Sequence, residues 1–183
     1  EEVERPVLIA TDLSSKMLFG SRLLFKSVQA AHIASLVAWH AKGRGDRVGG
    51  IVFNQISHSE LKPRSRKEGV LHYLHALVKS HQQAIEFEAT QYKNTIETAN
   101  DSSLNENCIR IRKLAHPGSL VYLITDGSDL SEDGIRHLSQ VSRHCELVIC
   151  LVTDQLEHEL PHSSHKLNVA VTDGSATNTL TLG

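Results

Sequence analysis

The chain has 183 residues, of which 40% are hydrophobic and 22% charged, enough apolar content to bury one substantial core and too much for a disordered segment. A formal net charge of −2 supplies no cationic excess to neutralise phosphates, which argues against nucleic acid as a partner. No apolar run approaches the ~20 residues that span a bilayer, and no signal segment opens the chain. The expectation is therefore a single domain over residues 1–183, cut from a longer protein because it opens without methionine. Its expected location is cytoplasmic, with membrane association left open for the full-length protein.

Residues 7–11 are a short apolar run that ends in the polar Thr11-Asp12-Leu13-Ser14-Ser15, the pattern of a buried parallel strand opening into a loop. From about residue 25 to residue 42, Ala30, Ile33, Val37 and Ala41 recur at helical spacing. Residues 47–53 read as a second buried strand, and residues 56–61 as a short antiparallel neighbour. The basic stretch 62–67 reads as a solvated loop before a helix at residues 69–80, striped by Val70, Leu74, Leu77 and Val78. In residues 81–102, Ile85, Ala89, Tyr92 and Ile96 fit a helical period, but Thr, Asn and Ser are frequent and the segment reads as a variable insertion. Residues 105–115 suggest a basic amphipathic helix, residues 120–124 a third core strand ending at Thr125-Asp126-Gly127, and Ser131 the cap of a helix to about residue 144. Residues 147–152 read as a fourth core strand ending at Thr153-Asp154, and Asp173-Gly174 as the turn of a final hairpin at the sheet edge. Strands alternating with helices call for a doubly wound, mostly parallel α/β sheet flanked by helices, of the Rossmann type, with an antiparallel edge.

Such sheets place their sites at the carboxyl ends of the strands, where Asp12, Asp126 and Asp154 fall. Asp12 and Asp126 converge if their strands are neighbours, and carboxylate plus hydroxyl oxygens suit a hard cation such as Mg²⁺. The plainer alternative is that Asp12 and Ser14 only satisfy backbone donors of their own loop. Other strings carry less. His158-Glu159-Leu160-Pro161-His162 spells a zinc-protease motif, but Pro161 inside the required helical turn costs about 3 kcal/mol. His72 and His75 lack a third ligand, and Arg44-Gly45-Asp46 occupies a helix-to-strand turn. Cys108, Cys145 and Cys150 form no CxxC pair and are expected to be free thiols.

The residues Asp12-Leu13-Ser14-Ser15-Lys16-Met17, Phe19-Gly20, Lys26, Gly45-Asp46-Arg47-Val48-Gly49 and Leu123-Ile124-Thr125-Asp126 resemble the bacterial von Willebrand factor A-like proteins encoded beside MoxR-type AAA+ ATPases, a family long labelled a domain of unknown function, number fifty-eight. Val152-Thr153-Asp154-Gln155-Leu156-Glu157 and Leu160-Pro161 extend the likeness to the end of the chain. The resemblance implies a von Willebrand factor A-like fold and a metal-ion-dependent adhesion site, with Asp12, Ser14 and Asp126 as metal ligands. Asp12, Ser14, Ser15, Lys16 and Asp126 would form the surface that binds a partner. It also implies a non-catalytic role with a MoxR-type AAA+ ATPase or its client in assembling or maturing protein complexes. Lys16 stands where the family has a second serine, and no Gly-Gly-Thr stretch supplies the usual threonine, so no metal is required and Mg²⁺ is optional. An ammonium of Lys16 pointing into the site would decide whether an ion binds. The rival is a Mg²⁺-dependent hydrolase or phosphotransferase using the strand-end aspartates, for which the chain offers no phosphate loop and no Asp-x-Asp pair.

Overall fold

An apolar run buried on both faces makes an interior strand, and β1 (Pro6–Asp12) is one, with every residue after Pro6 buried. The structure, a computed structural model, describes residues 4–21, 23–94, 103–158, 167–172 and 177–182, with residues 92–94, 167–172 and 177–182 as backbone only. It divides into two compact units, Glu1–Val152 and Thr153–Gly183.

In the first unit β1 is followed by α1 (Lys26–Gly43), β2 (Arg47–Phe53), β3 (His58–Arg64), α2 (Arg66–Asn94), α3 (Ser103–Leu114), β4 (Leu120–Thr125), α4 (Glu132–Val141) and β5 (Glu146–Leu151). The strand order is β3-β2-β1-β4-β5, with β3 antiparallel to β2 and all other pairs parallel. This is the doubly wound, mostly parallel sheet with an antiparallel edge that the sequence calls for. The winding reverses between β1 and β4, so the carboxyl ends of those two strands flank the topological switch point.

Side chains alternate across the sheet. Val7 and Ile9 join one core with Ala30, Ala34 and Ala38 of α1 and Val70, Tyr73 and Leu77 of α2. Leu8 and Ala10 join a second with Leu104, Cys108 and Ile111 of α3 and Leu138 and Val141 of α4. Gly50 makes the approach of β1 and β2 feasible. Its φ is +140°, and a Cβ there would stand 2.0 Å from the Ile9 carbonyl oxygen. Above this pair the Tyr73 hydroxyl lies 2.8 Å from the Ile9 carbonyl, 3.2 Å from that of Ile51 and 2.8 Å from Thr11 Oγ1.

Three expectations for the first unit are corrected. Residues 81–94 are no insertion but the continuation of α2, held by buried Ala84 and by Gln55, whose amide donates to the Ala84 carbonyl at 3.3 Å and to Glu88 at 2.9 Å; residues 95–102 lie outside the described residues. The basic run is not a loop either, since Lys62, Pro63 and Arg64 end β3 and Arg66 begins α2. Pro63 is tolerated because β3 is an edge strand. Finally, β5 is the other edge, with Ile149 43% and Leu151 65% exposed, and not a central strand.

In the second unit, Asp154 caps a short 3₁₀ turn (Gln155–Glu157), accepting from the Leu156 N–H at 3.0 Å while Glu157 accepts from the Asp154 N–H at 2.9 Å. Its acid thus has local work. β6 (Leu167–Thr172) and β7 (Thr177–Leu182) pair antiparallel as a two-stranded sheet of their own, not as an edge of the larger one. The turn at Asp173-Gly174 lies outside the described residues, as does the histidine-glutamate string beyond His158.

Candidate functional site

β1 and β4 run side by side with Thr11 opposite Ile124, which brings Asp12 at the end of one strand against Thr125 and Asp126 at the end of the other. Asp12 is 2% exposed. Its Oδ1 accepts from the Ser14 N–H at 2.9 Å and the Ser14 hydroxyl at 2.6 Å, and its Oδ2 from the Thr125 hydroxyl at 2.6 Å. Burial pushes the Asp12 carboxyl up to about 6 against the pull of these hydrogen bonds, and the nearby charge of Asp126 adds to the rise.

Asp126 lives differently. Its Oδ1 accepts from the Ser128 N–H at 3.0 Å and the Ser128 hydroxyl at 2.9 Å, and its Oδ2 from the Lys26 ammonium at 2.8 Å. Burial favours its neutral form, but hydrogen bonds from Lys26 and Ser128, with the Lys26 charge, outweigh that and hold the carboxyl below the usual range. The Lys26 and Asp126 side chains are 3% and 7% exposed, which makes this a buried ion pair. The Phe19 ring covers the ammonium, 5.9 Å from its centroid, and the Lys26 N–H donates to the Phe19 carbonyl at 2.7 Å. Gly20 lets the covering loop turn tightly, for a Cβ there would meet the Leu24 carbonyl oxygen at 2.2 Å.

Of the five residues expected at the site, Asp12, Ser14 and Asp126 gather at the switch point. Ser15 and Lys16 do not. The Ser15 hydroxyl donates to Glu88 of α2, and the Lys16 ammonium reaches Asp129 at 2.5 Å with its side chain 42% exposed. The cation in the cluster is Lys26, from the first position of α1. A signal for it was available: a helix N-terminus repels cations, so a lysine there points to a nearby anion. Thr125, one residue before Asp126, adds a hydroxyl that donates to Asp12.

What opposes a divalent ion here is the Lys26 ammonium, which holds Asp126 Oδ2 at 2.8 Å. Both oxygens of Asp12 and both of Asp126 accept hydrogen bonds from protein donors, and one of those donors is itself a cation. The donor set does not fit a metal site as arranged.

A doubly wound α/β unit with a closed carboxylate cluster at its switch point is the class these features define. Within that class, the chain belongs to the family described as "Protein of unknown function DUF58", which matches residues 1–183. Among solved structures, an aerotolerance-related membrane protein from Bacteroides fragilis NCTC 9343 shares the fold, with 15% identity, a TM-score of 0.60, and coverage of 97% of this chain and 80% of that one. The conserved hypothetical protein BatB from Bacteroides thetaiotaomicron is similar at 14% identity and a TM-score of 0.58, over 98% of this chain and 81% of its own. The SpRpn10 VWA domain matches at 16% identity and a TM-score of 0.42, over 84% of this chain and 92% of its own. No curated protein matches the chain.

Proposed function

We propose that this chain is a non-catalytic protein-interaction domain of the von Willebrand factor A-like kind, whose partner is a MoxR-type AAA+ ATPase or the client that ATPase remodels. In this reading the domain works in the cytoplasm, the full-length protein is held at a membrane, and no cofactor is needed. One observation carries it. Beside the switch point, the loop that covers Lys26 turns apolar side chains to water: Phe19 is 40%, Leu24 42%, Phe25 44% and Leu23 94% exposed. Such a cluster at a sheet's carboxyl edge marks an interaction surface. The similarity to an aerotolerance-related membrane protein supports the membrane setting. No helix among the described residues is long and apolar enough to cross a membrane itself. The rival hydrolase or phosphotransferase needs strand-end carboxylates open to Mg²⁺ and substrate, and those of Asp12 and Asp126 are buried and already bonded.

The test is binding of the full-length protein to the purified MoxR-type ATPase of the same organism. Wild type should bind, and Leu23→Asp, a change at an exposed position, should lose binding by tenfold or more while melting normally. Equal binding by the variant would remove the loop from the interface. Phosphate-ester turnover that needs Mg²⁺ and disappears in Asp126→Asn would favour the enzyme instead.

A further inference from the structure

We infer that Lys26 is the resident cation of the switch-point site: its ammonium, paired with Asp126 at the end of β4, puts a positive charge where a divalent ion of a metal-dependent adhesion site would need that carboxylate, and so closes the site to such ions. The inference stands on side-chain geometry and is independent of which partner the domain takes. Lys26 is almost wholly buried, yet its ammonium is 2.8 Å from Asp126 Oδ2, a distance typical of a charge-assisted hydrogen bond. Local preference does not explain a lysine there. It opens α1, where the helix field disfavours positive charge and no acidic residue of the first turn offsets it. Nor is it a solvated surface lysine, because the Phe19 ring covers its ammonium.

The rest of the cluster is held together by hydrogen bonds within the chain. The Ser14 and Thr125 hydroxyls spend their protons on Asp12, and Ser128 spends its own on Asp126. Hard divalent ions take six or more oxygen ligands. A Mg²⁺ ion entering here would have to compete with the Lys26 ammonium for Asp126, against a positive charge that its tether to α1 keeps close to the site. If the ammonium is removed, the same oxygens become a set of carboxylate and hydroxyl ligands with nothing to balance their charge. The Lys16 ammonium is paired with Asp129.

Two arms test the inference on the whole chain. In the wild type, the side-chain ammonium resonances of Lys26 should be visible by ¹⁵N-edited NMR at neutral pH and unmoved by 10 mM Mg²⁺, and Mn²⁺ titrated by electron paramagnetic resonance should find no site. Loss or displacement of the Lys26 signal by Mg²⁺, or a wild-type Mn²⁺ site removed by Asp126→Asn, would overturn the inference. In the second arm, Lys26→Gln should gain Mn²⁺ affinity of at least tenfold over wild type, and Lys16→Ser should gain none. A folded Lys26→Gln protein with no gain, or a gain in Lys16→Ser, would also overturn it. Should Lys26→Gln fail to fold, the wild-type arm decides alone.

Discussion

Asp12 and Asp126 are chemically the same residue in adjacent positions, and their surroundings push them apart. Because burial raises the folded-state value of Asp12 to about 6, above an unfolded value near ~3.9, the folded protein binds the extra proton. The stabilisation this brings is complete below about pH 4 and is lost as pH rises through about 6; a two-unit shift corresponds to about 3 kcal/mol. Asp12→Asn cannot titrate, so the stability of wild type minus that of the variant should fall by about that amount between pH 4 and 7 in denaturant titrations. Taking the difference cancels His81, whose value burial lowers and whose contribution therefore rises with pH as it deprotonates. Parallel curves would mean that Asp12 titrates like an exposed carboxyl. For Asp126 the sign is reversed: its depressed value favours the fold above pH ~4 and is lost only in stronger acid. Asp126→Asn leaves the Lys26 ammonium buried without a counter-charge and should cost about 3–5 kcal/mol at neutral pH by denaturant unfolding. A cost under 1 kcal/mol would show that the pair opens to water. At this scale the sequence discloses residue types at strand ends but not where long side chains go. Asp12, Ser14 and Asp126 are legible because backbone register alone brings them together. Lys16 and Lys26 are told apart only by their stems, one running outward to Asp129 and the other inward to Asp126.

Among the elements, the Tyr73 hydroxyl ties α2 to β1 and β2 through the Ile9 and Ile51 carbonyls, at the point where Gly50 lets the strands close. Tyr73 is fully buried, and burial drives its hydroxyl far above the usual range, so it stays neutral and available for donation. Tyr73→Phe keeps the packing and removes the hydroxyl, which should cost about 1–3 kcal/mol because buried acceptors and Thr11 lose their partner. Calorimetry checks this; an unchanged melting temperature would mean that the hydroxyl is energetically idle. β1, β2 and β4 were readable from their unbroken apolar runs, and α1 from its 3.6-residue period. β5 has an equally apolar run but lies at an edge, because periodicity reports the chain's own preference and not whether a neighbour covers it. The far half of α2 is only half legible, for the opposite reason: Ile85 and Ala89 keep a helical period, but its polar composition looks like a loop. The contacts that hold it, from Gln55 to Ala84 and from Ser15 and Gln55 to Glu88, come from residues distant in sequence.

On the scale of the first unit, one sheet separates two cores, and its thiols and its cooperativity both follow from that. Cys108 lies inside the core of α3 and α4, where burial, with some repulsion from Asp12, pushes its thiol up to about 12; Cys145 and Cys150 are raised by burial as well. All three are free, and with so little thiolate at neutral pH they should alkylate slowly in the native protein and quickly in denaturant, as mass spectrometry of iodoacetamide-treated samples would record. Rapid native labelling of Cys108 would mean that this core opens. The two cores share strands but not side chains, since Val7 and Ile9 face α1 and α2 while Leu8 and Ala10 face α3 and α4. Ile9→Val trims the first core and Ile111→Val the second, each at fully buried positions, and each should cost about 0.5–1.5 kcal/mol. With the sheet between them and no partner in common, the double variant should lose the sum of the two within about 0.3–0.5 kcal/mol, still in one cooperative transition because every strand of β1, β2 and β4 contributes to both sides. Urea unfolding of the four proteins measures this cycle. An interaction larger than about 1 kcal/mol would show that strain crosses the sheet, and two separate transitions would show that the cores fold independently.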